Sequence, residues 1–294
     1  MKERYEKTMG DTSIKPYRSW PGFKSAVCEE FFDKCKKDPD LLVFPRKDYL
    51  SVYCNGQQFV KLTPSKSKKV SQYSDDNEFK ERKKTVSVGM PKDKERRAQQ
   101  QIAARHLSRK TDIVICDMEF SIRKKDFGIK LPGIDLIGLD FSNPKLPRPV
   151  FIEYKRTKNA VKGKSGVLPH FNDMAEIYSN PELKKALAEG AMASYNILID
   201  LGVLDAEHLT NIDTENGWFA FLFTDLQVKD FYGYLSKILA KQKQDKNMLF
   251  PLRVASFDTY EETVLRTDKF EDITEFLRNN QEKAGRHPNK PVFN

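Results

Sequence analysis

The segment Val150-Phe151-Ile152-Glu153-Tyr154-Lys155 constrains this chain more than any other. Three consecutive apolar residues after a proline-rich turn read as a short buried strand, and the acid and lysine continue it without a break. Side chains alternate along a strand with period two. Glu153 and Lys155 therefore project from one face, while Ile152 and Tyr154 project from the other. A carboxylate and an ammonium are thus held together at the end of an apolar layer. The tripeptide alone is a weak signal, because Glu-x-Lys recurs at Glu78, Glu81 and Glu182. Those three lie in a lysine-rich stretch or at a helix start, and only Glu153 directly follows an apolar strand.

The strand before it reads as Ile134-Asp135-Leu136-Ile137-Gly138-Leu139-Asp140, with Asp135 among apolar neighbours at its start. A carboxylate in such surroundings needs a partner. If the two strands are neighbours, Asp135 and Glu153 can share a divalent cation. Hard oxygen ligands, few protein contacts and several waters suit magnesium, with manganese as its substitute. Lys155 then stands beside the ion, placed to hold an attacking water or a scissile phosphate. The plain alternative is a pair of strand-end acids bridged by Lys155 with no metal.

The flanking sequence supplies an order of elements. A basic helix is predicted from Asp93, carrying Arg96, Arg97, Arg105 and Arg109 opposite a thin apolar side of Ile102, Ala103, His106 and Leu107. Strands over 112–122, 134–140 and 150–154 follow as a meander. After a glycine and lysine loop at 162–166 comes a long helical region. Its second part opens at Asn180-Pro181-Glu182, a cap, an N1 proline and an acidic first turn, and runs to about Leu201. A buried strand at 218–223, a helix at 228–243 and a strand at 252–257 come next. Asp268 and Glu271 form a capping-box pattern before Ile273, Phe276 and Leu277, predicting a last short helix. Near the N-terminus, Phe23 to Cys35 has helical spacing, and Asn55-Gly56 marks a hairpin between Tyr49 and Leu62. Residues 63–91 have almost no apolar period and read as a linker. The boundary falls there, between an N-terminal unit at 1–91 and a larger domain at 92–294.

At these residues the chain resembles the PD-(D/E)xK nuclease superfamily, over residues 93–225. In that family a helix precedes a strand meander, with the aspartate on its second strand and E-x-K on its third. The resemblance implies an α/β fold: a restriction-endonuclease-like core with a mixed central sheet flanked by helices, joined here to a small N-terminal α+β unit. It implies Asp135 and Glu153 as metal ligands and Lys155 as the catalytic lysine of a magnesium-dependent nuclease. The expected activity is hydrolysis of phosphodiester bonds, as an endonuclease, in DNA in preference to RNA. Ile134 stands where the proline of the motif would be. Many members add an upstream acid. Glu119, which interrupts the apolar run Cys116-Asp117-Met118-Glu119-Phe120, is the favoured third ligand. Glu95 on the preceding helix is its rival, explained equally by surface ion pairs with its basic neighbours. Asp117 shares the face of Glu119 and can substitute for it. His170 opens the next helix with Asn172 and Asp173 and is an extra active-site candidate, while Asn172 fits a plain N-cap.

Charge distribution supports an anionic partner. The net charge of +9 is concentrated in residues 61–110, which hold 15 Lys and Arg against 6 Asp and Glu, leaving the rest of the chain balanced. One basic segment beside a neutral body suits a nucleic acid, with a solvated lysine-rich loop as the bland reading. Arg96, Arg97 and Arg105 on the basic helix are candidate contacts. So are Lys158, Lys162 and Lys164, in a loop where Gly163 and Gly166 allow close approach to phosphates. No apolar stretch is long enough for a membrane span and the N-terminus lacks a signal-peptide core, so an intracellular location is expected. Cys28, Cys35, Cys54 and Cys116 fall in no metal-ligand spacing and read as reduced structural thiols. Trp20 and Trp218 read as core residues. Cutting both strands of a duplex would call for a homodimer or a protein partner with a second site. The rival function is a nucleic-acid-binding or assembly subunit that keeps the fold without cutting.

Overall fold

A computed structural model describes residues 29–46, 49–62, 76–88, 94–108, 110–120 and 133–285. Trp20, Cys28, Asp93, Arg109 and His287 lie outside the described residues, as do positions 63–75 of the expected linker. The N-terminal part comprises α1 (Glu29–Lys37) and an antiparallel sheet of β1 (Leu41–Pro45), β2 (Leu50–Cys54) and β3 (Gln57–Leu62). The β2–β3 hairpin turns at Asn55-Gly56, whose φ angles of 50° and 80° are those the dipeptide favours. β1 has no counterpart in the periodicity reading, because it is buried on both faces and shows no alternation. Leu41 and Val43 enter a small core with Cys35, Val52 and Phe59, whereas Leu42 and Phe44 join the main core.

The stretch expected to be a linker contains a helix, α2 (Asp76–Val88). Its buried anchor is Phe79, whose ring meets Phe59 edge-on at 5.4 Å. Lys83 fixes it to the loop before β1 by bonding Asp38 and Asp40 at 2.7 Å. A helix docked through one aromatic and a few charges offers no repeating apolar signal, which is why its sequence reads as a linker.

The body of the protein is a six-stranded sheet preceded by α3 (Lys94–Arg105). β4 (Ile113–Phe120), β5 (Ile134–Asp140) and β6 (Arg148–Lys155) form the expected antiparallel meander. β7 (Trp218–Thr224) and β8 (Leu252–Phe257) then add in parallel, and the two-residue β9 (Glu271–Asp272) closes the edge antiparallel. The sheet is therefore mixed and flanked by helices. Parallel neighbours need long crossovers. α4 (Val167–Ser179) and α5 (Pro181–Asp200) form one, α6 (Val228–Gln244) forms the next, and α7 (Ile273–Asn279) follows β9. Asn180 caps α5 by accepting from Leu183 N at 3.1 Å, as its sequence predicts. At α7 the cap is Asp272, which accepts from Thr274 N at 2.8 Å. Asp268 instead lies in the 3-10 turn Thr267–Lys269, and Glu271 pairs with Val254 in the sheet.

β7 is buried along its whole length, as a central parallel strand requires. Phe223 stacks on Phe231 of α6 with centroids 3.7 Å apart, and Phe219 meets Phe250, which in turn stacks on Phe171 of α4. Helices α4 and α6 thus cover the face to which Phe219, Phe221 and Phe223 point.

At the end of β5 remote from Asp135, the fully buried Asp140 gathers four donors. It accepts from Ser142 N, Arg148 Nε and Thr267 Oγ1 at 2.8 Å and from Trp218 Nε1 at 2.9 Å. Burial alone would raise its pKa, but these bonds outweigh burial and hold the carboxyl below the usual aspartate range. One carboxylate thereby ties β5, β6, β7 and the approach to β9. Asp140→Ala is expected to cost about 3 kcal/mol, since it strands a buried indole N–H and a guanidinium. Because the folded pKa is depressed, this stabilisation is complete above the unfolded value near 4 and is lost as pH falls through the folded one. Urea unfolding at pH 7 and pH 3 checks both points: the gap between wild type and variant should narrow at pH 3, and an equal gap at both values would contradict the assignment.

Candidate functional site

The strand registers assemble the site. Met118 lies opposite Leu136, and Leu136 opposite Ile152. One residue further along, Glu119, Asp135 and Glu153 form a row across three adjacent strands, which β7 extends with Phe221 opposite Glu153. Residues in such a row share a face of the sheet. β4 carries a register shift between Ile115 and Asp117, and Glu119 itself has a φ of 53°, outside ordinary strand geometry for a non-glycine residue.

Within the row the polar groups touch. Asp135 Oδ2 accepts from Tyr154 N at 2.8 Å and lies 3.8 Å from Lys155 Nζ. Lys155 Nζ is 3.2 Å from Glu153 Oε2, and His170 Nδ1, near the start of α4, is 3.3 Å from that same oxygen. Glu153 and Lys155 are buried, whereas the Asp135 side chain stays 17% exposed, so the site opens at Asp135.

Electrostatics follow from this packing. Burial, then the charge of Glu153, pushes Asp135 up to about 7. Burial likewise pushes Glu153 up to about 7 against the pull of Lys155, with Glu119 adding repulsion. Lys155 also loses solvation, yet its two carboxylate neighbours outweigh that loss and hold its pKa above the usual lysine value. His170 is held low by burial and then by Lys155, so its imidazole is neutral at neutral pH. Two carboxylates, one buried and one half-buried, beside one ammonium leave a deficit of positive charge, which a proton fills near neutrality unless a cation takes its place.

The residues fit a magnesium ion in that role. Among the described residues no three His, Cys, Asp or Glu side chains converge into a cage for a metal. Magnesium does not require one: it takes one or two carboxylates, keeps several waters and completes its shell with substrate phosphate. Asp135 and Glu153 are the pair that would hold it. The Glu119 carboxylate turns toward Arg96, 3.6 Å from its Nε. The rival acid Glu95 points to the end of β6, accepting from Arg156 N at 3.2 Å, and its charge acts on Lys155. It is more than the surface ion-pair residue its basic neighbours imply.

Other candidates are placed as follows. Asp117 is fully buried and ion-paired to Arg46, so it does not substitute for Glu119. Asn172 is not a cap, since α4 begins after Gly166; it accepts from Lys241 Nζ at 3.2 Å. Arg97 is exposed, Arg105 donates to the Tyr260 carbonyl, and Lys158 pairs with Asp230 at 2.9 Å. Lys162 and Lys164 are exposed around the 3-10 turn Gly163–Ser165 that precedes α4. Cys35, Cys54 and Cys116 are buried thiols. Three neighbours of the site escaped the sequence reading. The Arg156 guanidinium pairs with Asp225 at 2.8 Å and lies 4.3 Å over the Tyr260 ring. Only the adjacency of Arg156 to Lys155 was visible in the chain; Asp225 and Tyr260 arrive from the loops after β7 and β8.

Compared with known proteins, the chain matches no family model, no curated protein and no solved structure. Among the described residues no helix is long and apolar enough to cross a membrane.

A stability prediction follows from the raised carboxyls. Their folded pKa values exceed the unfolded ones near 4, so the metal-free protein loses stability as pH rises from about 4 to about 7. Glu153→Gln, which removes one charge, should raise the thermal midpoint at pH 8 by at least about 2 °C, the effect of about 1 kcal/mol in a large domain. Calorimetric scans in chelator at pH 5 and pH 8 check this. A variant less stable than wild type at pH 8 would show that the carboxylates are not in conflict.

Proposed function

We propose that this chain is a magnesium-dependent nuclease that hydrolyses phosphodiester bonds in DNA, with Asp135, Glu153 and Lys155 at its centre. The observation that carries this reading is the conjunction of a buried carboxylate, a half-buried one and a buried lysine at one end of β5 and β6. An arrangement so costly in desolvation gives the fold nothing that apolar residues would not supply better. Asp135 and Glu153 would hold a magnesium ion, which when bound would supply Lewis acidity and offset charge developing on the phosphate oxygens. Lys155, firmly protonated, donates to a non-bridging phosphate oxygen or holds the attacking water. His170, whose Nδ1 lies 3.3 Å from Glu153 Oε2, packs against that carboxylate and limits its orientation. The exposed Lys162, Lys164 and Arg97 take flanking backbone phosphates, which position the polymer without reading its sequence.

Cleavage of single- and double-stranded DNA and RNA in magnesium or manganese tests the proposal. Metal-dependent cutting is expected on DNA, with losses of at least about 10²-fold in Lys155→Ala and Asp135→Ala. Cutting that survives both substitutions would remove this site from the reaction. Salt-sensitive binding without turnover by wild type would replace the nuclease with a non-catalytic binding or assembly subunit.

A further inference from the structure

One of the links between the N-terminal sheet and the body of the protein is a buried guanidinium. Arg46, immediately after β1, is 8% exposed and sits against β4. Its Nη1 pairs with the fully buried Asp117, and its Nη2 donates to the Met118 carbonyl and to Tyr53 Oη, the latter at 2.9 Å. From the opposite side, Ser194 of α5 donates to the Cys116 carbonyl. Asp117 also folds back on the chain, accepting from Met118 N at 2.6 Å. The three residues before Glu119 are therefore held at backbone and side chain by two separate elements.

That clamp bears on Glu119. A non-glycine residue at positive φ is strained and persists only where its surroundings fix it. Glu119 is such a residue, at the end of an edge strand that already contains a register shift. Released, the strand would relax toward ordinary geometry and re-aim the Glu119 carboxylate relative to Asp135 and Glu153. By register Glu119 stands opposite Asp135, which stands opposite Glu153, so its aim bears on both.

We infer that Arg46 is a positioning residue for the divalent-cation site, acting through Asp117 and the Met118 carbonyl to keep Glu119 in the carboxylate row. The inference rests on the metal-dependent reading above and extends it, since it makes the N-terminal sheet a part of the site. Removing Arg46 alone would strand the buried Asp117 charge and risk the fold. The variant of choice is Arg46→Met with Asp117→Leu, because an apolar replacement of a buried ion pair is often neutral for stability. It abolishes the donor to Met118 while the core stays filled. Arg46→Lys, which keeps the charge but not the fork, is the second variant.

Manganese binding to the full chain is measured by calorimetry, with thermal unfolding in parallel. The paired variant is expected to bind manganese about tenfold more weakly, the scale typical of a lost supporting contact at a metal site. Glu119→Gln, which takes a negative charge from the row while leaving both carboxylates that would hold the ion, should weaken binding similarly, and combining it with the paired variant should add nothing further. Arg46→Lys should show a smaller loss in the same direction and is decisive if the paired variant does not fold. Wild-type affinity in a folded clamp variant, or losses that multiply on combination with Glu119→Gln, would overturn the inference while leaving the metal site intact. Absence of manganese binding by wild type would overturn the metal reading, and the inference with it.

Discussion

In the pairing of β5 with β6, Leu136 lies opposite Ile152, and that register places Asp135 beside Glu153 where both strands reach the site. A slip of one residue would leave one of the two acids on the face now occupied by Ile152 and Tyr154 and so part the pair. The site thus inherits its geometry from a packing decision made by apolar residues: the buried run of β5 and β6 can satisfy both faces in only one register. The carboxylates are carried into the interior by that packing, and Lys155 and His170 are what make their burial tolerable. A deficit of positive charge is built into the fold there, one that a proton or a cation can fill.

The N-terminal unit is bound to this arrangement by apolar packing of Leu42, Phe44 and Tyr53 and by polar contacts. Besides the Arg46 clamp on β4, the hairpin turn sits on α3: Gly56 N donates to Gln100 Oε1 at 2.6 Å, and a Cβ at position 56 would come within 2.5 Å of the Arg96 backbone. Glycine here answers two demands at once, positive φ for the turn and room for the helix. β4 is an edge strand of the main sheet, and β1 packs beside it. Covering an edge in this way protects it from pairing with other chains.

Much of this was legible in the chain because local signals and tertiary environment agree. β5 and β8 begin and end where their apolar patterns do, and Asn55-Gly56 and Asn180-Pro181 make the turn and cap their chemistry favours. Asp135, Glu153 and Lys155 could be brought together on paper because strand alternation and adjacency suffice to place them, and the loop after β6 brings His170 back by the shortest route. What stayed hidden depends on contacts distant in sequence. β1 and α2 lack periodicity because one is buried on both sides and the other is held by a single phenylalanine. Asp272 displaces Asp268 as a cap because a two-residue strand intervenes. The pairing of Asp117 with Arg46, and of Arg156 with Tyr260, joins residues that no local pattern connects.

The mixed topology of the sheet has a consequence for how the molecule is made. β4, β5 and β6 follow one another closely, so their pairing closes short loops. β7 can join β6 only after α4 and α5 have crossed the sheet, and closing that long connection costs more entropy and time. All three acids of the row lie on the early-closing half. The nascent meander therefore brings like charges together while water still solvates them. Their burial comes later, when β7 and the helices arrive, so the repulsion between them opposes the final docking of the two halves of the sheet and not the first turns of the chain.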